Sequence, residues 1–130
     1  MGYAEHQLSQ SLEDYIEAVY NLIQASGLAC VRDVAKILHV KMPSVVKAIH
    51  ELKKLGLVTQ EPYSSIELTE RGMEAAKSVL ERHRLLRSFL VKLGVSVKTA
   101  DTDACRMEHI LSAETLERIR IFSEKGKGKK

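Results

Sequence analysis

VRDVAKILHVKMPSVVKAIHELKKLGLVTQEPYSSIEL, residues 31–68, is the stretch on which the fold turns. Its first eight residues, Val31–Leu38, predict a short helix with Val34, Ile37 and Leu38 inward. His39, Val40, Lys41 and Met42 form a tight connection. Pro43 suits the first turn of a second helix, where its missing N–H is no loss. That helix runs to about Leu55, with Val45, Val46, Ile49 and Leu52 apolar, and Gly56 ends it. Leu57–Glu61 and Ser65–Leu68 then read as short strands around a Pro62-Tyr63-Ser64 turn. Helix, turn, helix and hairpin in that order make a helix-turn-helix with a two-stranded wing.

Upstream, Ser11–Ala25 predicts a helix capped by Ser11 and stopped by Gly27, its apolar face built from Leu12, Ile16, Val19 and Ile23. Downstream, a long helix opens at Thr69 and runs to about Leu93, with Gly94 after it. A fifth helix is expected over Thr102–Leu111, and a sixth from the cap Ser112 to Phe122. The fold class is mainly α: an N-terminal winged helix-turn-helix plus a C-terminal helical dimerisation domain. The expected divisions are 1–71, 72–124 and a disordered Lys/Gly tail over 125–130.

The chain has 130 residues, enough for one compact domain or two small ones. A net charge of +3 is a mild basic bias, compatible with a polyanionic partner. No apolar run is long enough to span a membrane, and no signal peptide is visible. With only Cys30 and Cys105, far apart, the expected setting is cytoplasmic, with thiols reduced.

In a helix-turn-helix, the second helix enters the major groove led by its N-terminal residues. Here those are Lys41, Met42, Ser44 and Lys47. The lysines can neutralise phosphate or donate to guanine, and Ser44 can donate to backbone or base. The wing tip, Tyr63, Ser64 and Ser65, is placed to reach a flanking phosphate or the minor groove. The bland alternative is an αα-hairpin used in protein contacts.

Metal donors recur at helical spacing. Asp14 and Glu17 stand at i and i+3 on the first helix, away from its apolar face. Cys105, Glu108 and His109 stand at i, i+3 and i+4 on the fifth, and are expected to share one face. His83 interrupts an apolar seam of Val79, Leu86, Leu90 and Leu93. Carboxylate, imidazole and thiolate together suit a first-row transition metal better than calcium or magnesium. Each residue taken singly also fits a plain structural role: a solvated charge, a small core thiol or a packed histidine.

Three separated motifs make a resemblance specific. SLEDYIE (11–17), RHRLL (82–86) and DACRMEHILS (103–112) are similar to the diphtheria-toxin-repressor family, in the same order, from about Leu8 to Phe122. That family includes the iron-dependent repressors and the short manganese transport regulators, and this chain resembles the short branch. The resemblance implies an intracellular sensor that, loaded with Mn(II) or Fe(II), binds palindromic operator DNA as a homodimer and represses metal-uptake genes. It implies ligands at Asp14, Glu17, His83, Glu108 and His109. Cys105 stands where the iron branch has cysteine and the manganese branch glutamate. The iron branch's second site has a glutamate where this chain has Arg87, and a histidine where it has Asp101. Asp101 is therefore a further candidate oxygen ligand. The hard donors favour manganese slightly over iron, with Zn(II) or Co(II) as cations the set would accept in vitro.

Two other readings fit parts of the sequence. A winged-helix regulator that does not sense metal would share the DNA-binding half and leave the donors uncoordinated. A thiol enzyme would use Cys105 and His109, one helical turn apart, as nucleophile and base. Nothing in the sequence resembles an oxyanion loop, a glycine-rich phosphate cradle or a small-molecule substrate pocket, so no enzyme is expected. Leu111, Leu116, Ile119 and Ile121 are the expected dimer contacts.

Overall fold

The computed structural model describes residues 8–128, with the side chains of 126–128 excepted. The order is α1 (Gln10–Ser26), α2 (Val31–Leu38), α3 (Met42–Lys54), β1 (Val58–Thr59), β2 (Glu67–Leu68), α4 (Glu70–Lys92), α5 (Val97–Met107) and α6 (Ala113–Gly128). The chain is mainly helical with one two-stranded antiparallel sheet, as expected. It divides into two compact units, Leu8–Lys77 and a second beginning at Ser78. The change of character read near Thr69 is where α4 begins. The division falls later, because the first turns of α4 belong to the first core through Ala76.

In the first unit, α1 begins one residue before the expected cap. Ser9, not Ser11, is the N-cap, its Oγ accepting from the Leu12 N–H at 3.1 Å. At the other end Gly27 takes a left-handed φ of 84°, and its N–H donates to the Ile23 carbonyl. Tyr15, Ile16, Ala18 and Val19 face inward, and the same face buries Glu13. On α2, Val34 and Ala35 are the buried pair, while Ile37 is exposed rather than inward. On α3, Val45, Ala48, Ile49 and Leu52 form the buried stripe at i, i+3, i+4 and i+7. Val46 falls outside that stripe and is exposed.

The wing strands are shorter than expected. Val58 pairs with Leu68 and Thr59 with Glu67. Beyond them the Ile66 N–H donates to the Ala29 carbonyl at 2.7 Å, so it is spent outside the hairpin. At the tip, the Ser64 N–H donates to the Glu61 carbonyl, and Tyr63 holds a φ of 63°, a left-handed value for a residue with a bulky side chain. Thr69 then links wing and helix. Its hydroxyl donates to the Gly56 carbonyl at 2.7 Å and accepts from the Gly72 N–H at 3.0 Å.

The second unit is built on Leu86, Ala104 and Leu116, with Leu85, Met107, Leu111 and Ile119 around them. Burying each large leucine contributes about 1.5–3 kcal/mol before entropy is counted. Leu116 therefore holds the unit's own core and is unavailable as a dimer contact. The exposed large apolar side chains among the described residues of this unit are instead Val91, Leu93, Val97, Ile110 and Phe122. The fifth helix also differs from expectation. It starts at Val97 because Ser96 caps it, accepting from the Thr99 N–H, and it ends at Met107. Ser112 caps α6 as expected, accepting from the Thr115 N–H at 3.1 Å. Rather than stopping at Phe122, α6 runs to Gly128, so Lys125 and Lys127 lie in a helix and not in a disordered tail. Lys129 and Lys130 lie outside the described residues.

Candidate metal centre and nucleic-acid interface

Helix α4 carries His83, and α5 with the turn after it carries the acids that meet it. His83 Nε2 lies 2.7 Å from Asp101 Oδ1, and Nδ1 lies 3.3 Å from Glu108 Oε1. Asp101 is exposed, His83 is one-fifth exposed, and Glu108 is fully buried. One imidazole thus faces an acceptor at each ring nitrogen. Neutral imidazole has a single N–H, so it can donate to only one of the two carboxylates. Full satisfaction requires a second proton, or a cation standing in a proton's place.

Glu108 is fixed by its backbone. It is the C-cap of α5, and its carbonyl accepts from Nε of the buried Arg82 at 2.9 Å. Arg82 also reaches Ser78 Oγ at 3.3 Å, one turn earlier on α4. Arg82 therefore ties α4 to the turn that presents the carboxylate. The sequence offered no sign of this, because a buried arginine beside a histidine has no spacing signature.

The donors in and after the fifth helix differ in burial. Glu108 is fully buried, whereas Cys105, one turn earlier, is exposed. The helix ends at Met107, so His109 sits in the following turn, half-buried. Ile110 is 73% exposed. The structure brings together His83, Asp101 and Glu108. Asp14 and Glu17 belong to the first unit, half-buried one turn apart on α1 beside the buried Glu13. Among the described residues, no three such side chains converge as a ready-made cage. The donor chemistry nonetheless fits a divalent first-row cation: carboxylate oxygens and an imidazole nitrogen, with a thiolate near by in sequence.

The DNA-reading candidates stand where the sequence put them. Lys41, Met42, Ser44 and Lys47 are all exposed around the start of α3. Pro43 lies in its first turn, and no acidic residue stands there to oppose a phosphate. Tyr63 is fully exposed at the wing tip, next to exposed Ser64 and half-buried Ser65.

Comparison with known proteins agrees with both halves. Residues 7–66 match the family model for the N-terminal DNA-binding domain of iron-dependent repressors. Residues 69–127 match that for their metal-binding and dimerisation domain. The chain belongs to the iron-dependent repressor family. It is a metal-dependent transcription regulator that binds DNA, not an enzyme. An HTH-type transcriptional regulator of Methanocaldococcus jannaschii is 44% identical over 124 residues, 94% of this chain and 99% of that protein. The transcriptional regulator MntR of Escherichia coli O157:H7 is 39% identical over 114 residues, 88% of this chain and 74% of MntR. A solved manganese-dependent transcriptional repressor in complex with manganese is 27% identical, with a TM-score of 0.75 over 83% of this chain and 50% of its own. This family member thus spans about half the length of that structure. No helix among its described residues is long and apolar enough to cross a membrane.

Proposed function

We propose that this regulator is a repressor of metal-uptake genes, activated by Mn(II) or Fe(II), that binds palindromic operator DNA as a two-fold dimer. The observation that carries the reading is the His83 imidazole held between the carboxylates of Asp101 and Glu108, within the segment that matches a metal-binding and dimerisation domain. The manganese named in the relatives' descriptions supports the choice of cation. The proposed ligands are Asp14, Glu17, His83, Glu108 and His109, with Asp101 as an additional oxygen donor. Cys105, exposed near the end of α5, is a further proposed ligand. A bound cation would supply positive charge among clustered acids.

The residues of this chain do the rest. Arg82 holds the Glu108 backbone, so the carboxylate is in place before any ion arrives. Proposed donors occur in both halves of the chain, which couples metal occupancy to DNA binding. In a dimer the two α3 helices would read half-sites about 34 Å apart. Exposed Leu93 and Phe122 replace Leu116 as proposed contact residues. The setting is proposed to be cytoplasmic.

Fluorescence anisotropy on a palindromic duplex from a metal-uptake promoter tests this. Titrations are run in chelator and with Mn(II), anaerobic Fe(II) and Zn(II). Tight binding with Mn(II) or Fe(II) and weak binding in chelator is expected. Equal binding in every condition would overturn metal activation and leave a winged-helix regulator that does not sense metal.

A further inference from the structure

On α3 the buried stripe accounts for Val45, Ala48, Ile49 and Leu52, yet two more apolar side chains stand on the outer face. Met42 is 48% exposed and Val46 56% exposed. They are four residues apart, so they are neighbours on the helix surface. Pro43, also exposed, lies beside them. A single exposed apolar residue needs no explanation. A strip of them on the leading turns of a recognition helix does. Helix stability does not explain Val46, because a β-branched residue loses χ1 freedom in a helix and is less favourable there than alanine. Core packing does not explain it either, since more than half of its surface is open. Its exposed surroundings are Lys41 and Lys47, with His50, Lys53 and Lys54 further along the helix. Glu51 is the only acid on α3. Those lysines match a polyanion, which makes DNA the occupant of this face.

In the major groove one feature of a base pair is apolar, the C5 methyl of thymine. We infer that Met42 and Val46 form an apolar reading strip that recognises thymine C5 methyl groups, making Val46 a specificity-determining residue for operator choice. The sequence marks Val46 only as an apolar residue of this helix, and its position outside the buried stripe gives it this role. Lysines beside the strip bind phosphate whatever the sequence, so they set affinity. The strip discriminates, because cytosine in the same place offers an amino donor and no methyl.

This inference rests on the reading of α3 as the DNA-reading helix, and the test separates the two. The probe is the duplex that the Mn(II)-loaded full chain selects from a random-sequence library. Each thymine of a half-site is replaced in turn by uracil, which removes the methyl and keeps every hydrogen-bonding group. Wild type is expected to lose roughly fourfold in affinity at each contacted methyl, the worth of one buried methyl group. Val46→Ala is expected to bind the thymine duplex several-fold more weakly and to show no further loss with uracil at the position it contacts. Its unfolding midpoint should match wild type, since the side chain is exposed. Uracil without effect at every position would overturn the inference, as would a Val46→Ala variant that keeps the full methyl dependence. Failure to select any sequence, with or without metal, would instead overturn the DNA-reading assignment of α3.

Discussion

Gly72 lies against the backbone of Leu57. A β-carbon added there would sit 1.9 Å from the Leu57 carbonyl oxygen, which already accepts from the Thr69 N–H. Backbone cannot swing aside as a flexible side chain would. Gly72→Ala should therefore destabilise the protein by about 1–3 kcal/mol, as overpacking does, read as a lower urea midpoint. Glu108 offers a contrasting test. Glu108→Gln keeps the volume and the backbone bond from Arg82 but removes the charge. The helices should remain by circular dichroism, while Mn(II) no longer tightens operator binding by anisotropy. An unchanged metal response would remove Glu108 from the ligand set. The burial of Glu108 and the grip of Arg82 were invisible in the sequence, because both depend on which turns of α4 and α5 meet.

Among the helices, caps were legible to within a turn and lengths less so. Gly27 and Ser112 act where their residue types predict. The start of α5 lies five residues before the expected Thr102, where Ser96 caps the helix between Val95 and Val97. The extension of α6 beyond Phe122 has local support in its own charges. Arg120 bonds Glu117 one turn back and Glu124 one turn on. The guanidinium, hydrogen-bonded to the Glu117 carboxylate, holds that carboxyl below its usual range. A carboxyl lowered in the folded state contributes stability above its unfolded value, and that contribution is lost as pH falls through the lowered folded value. Both groups are solvent-facing, so the effect on stability is small. Arg120→Gln should raise the Glu117 titration midpoint toward the ordinary carboxylate range, measured by carboxyl-carbon NMR. A midpoint that stays put would show that Arg120 does not set it.

Across both units the proposed function makes a thermodynamic demand. If Mn(II) tightens operator binding by some factor, operator DNA must tighten Mn(II) binding by the same factor. Calorimetric titration of Mn(II) into the free dimer and into the operator complex measures the second factor, and anisotropy the first. Coupling of 1–3 kcal/mol, about 5–150-fold, is the usual range. A factor near one from calorimetry beside a large one from anisotropy would mean that the metal acts elsewhere than on this equilibrium.

By itself the sequence determined the class of the fold, the helix-turn-helix and its wing, and the donor residues available to a metal. Those follow from local rules: period, caps, turn residues and side-chain chemistry, each readable within a few positions. Only the tertiary structure decided which donors meet and which surfaces remain open. His83 finds Asp101 and Glu108 across 18 and 25 residues, Leu116 is spent on its own core, and Val46 is left exposed outside the buried stripe of α3. A helical period of 3.6 fixes the angle between neighbouring side chains, but not which of those directions another helix will cover.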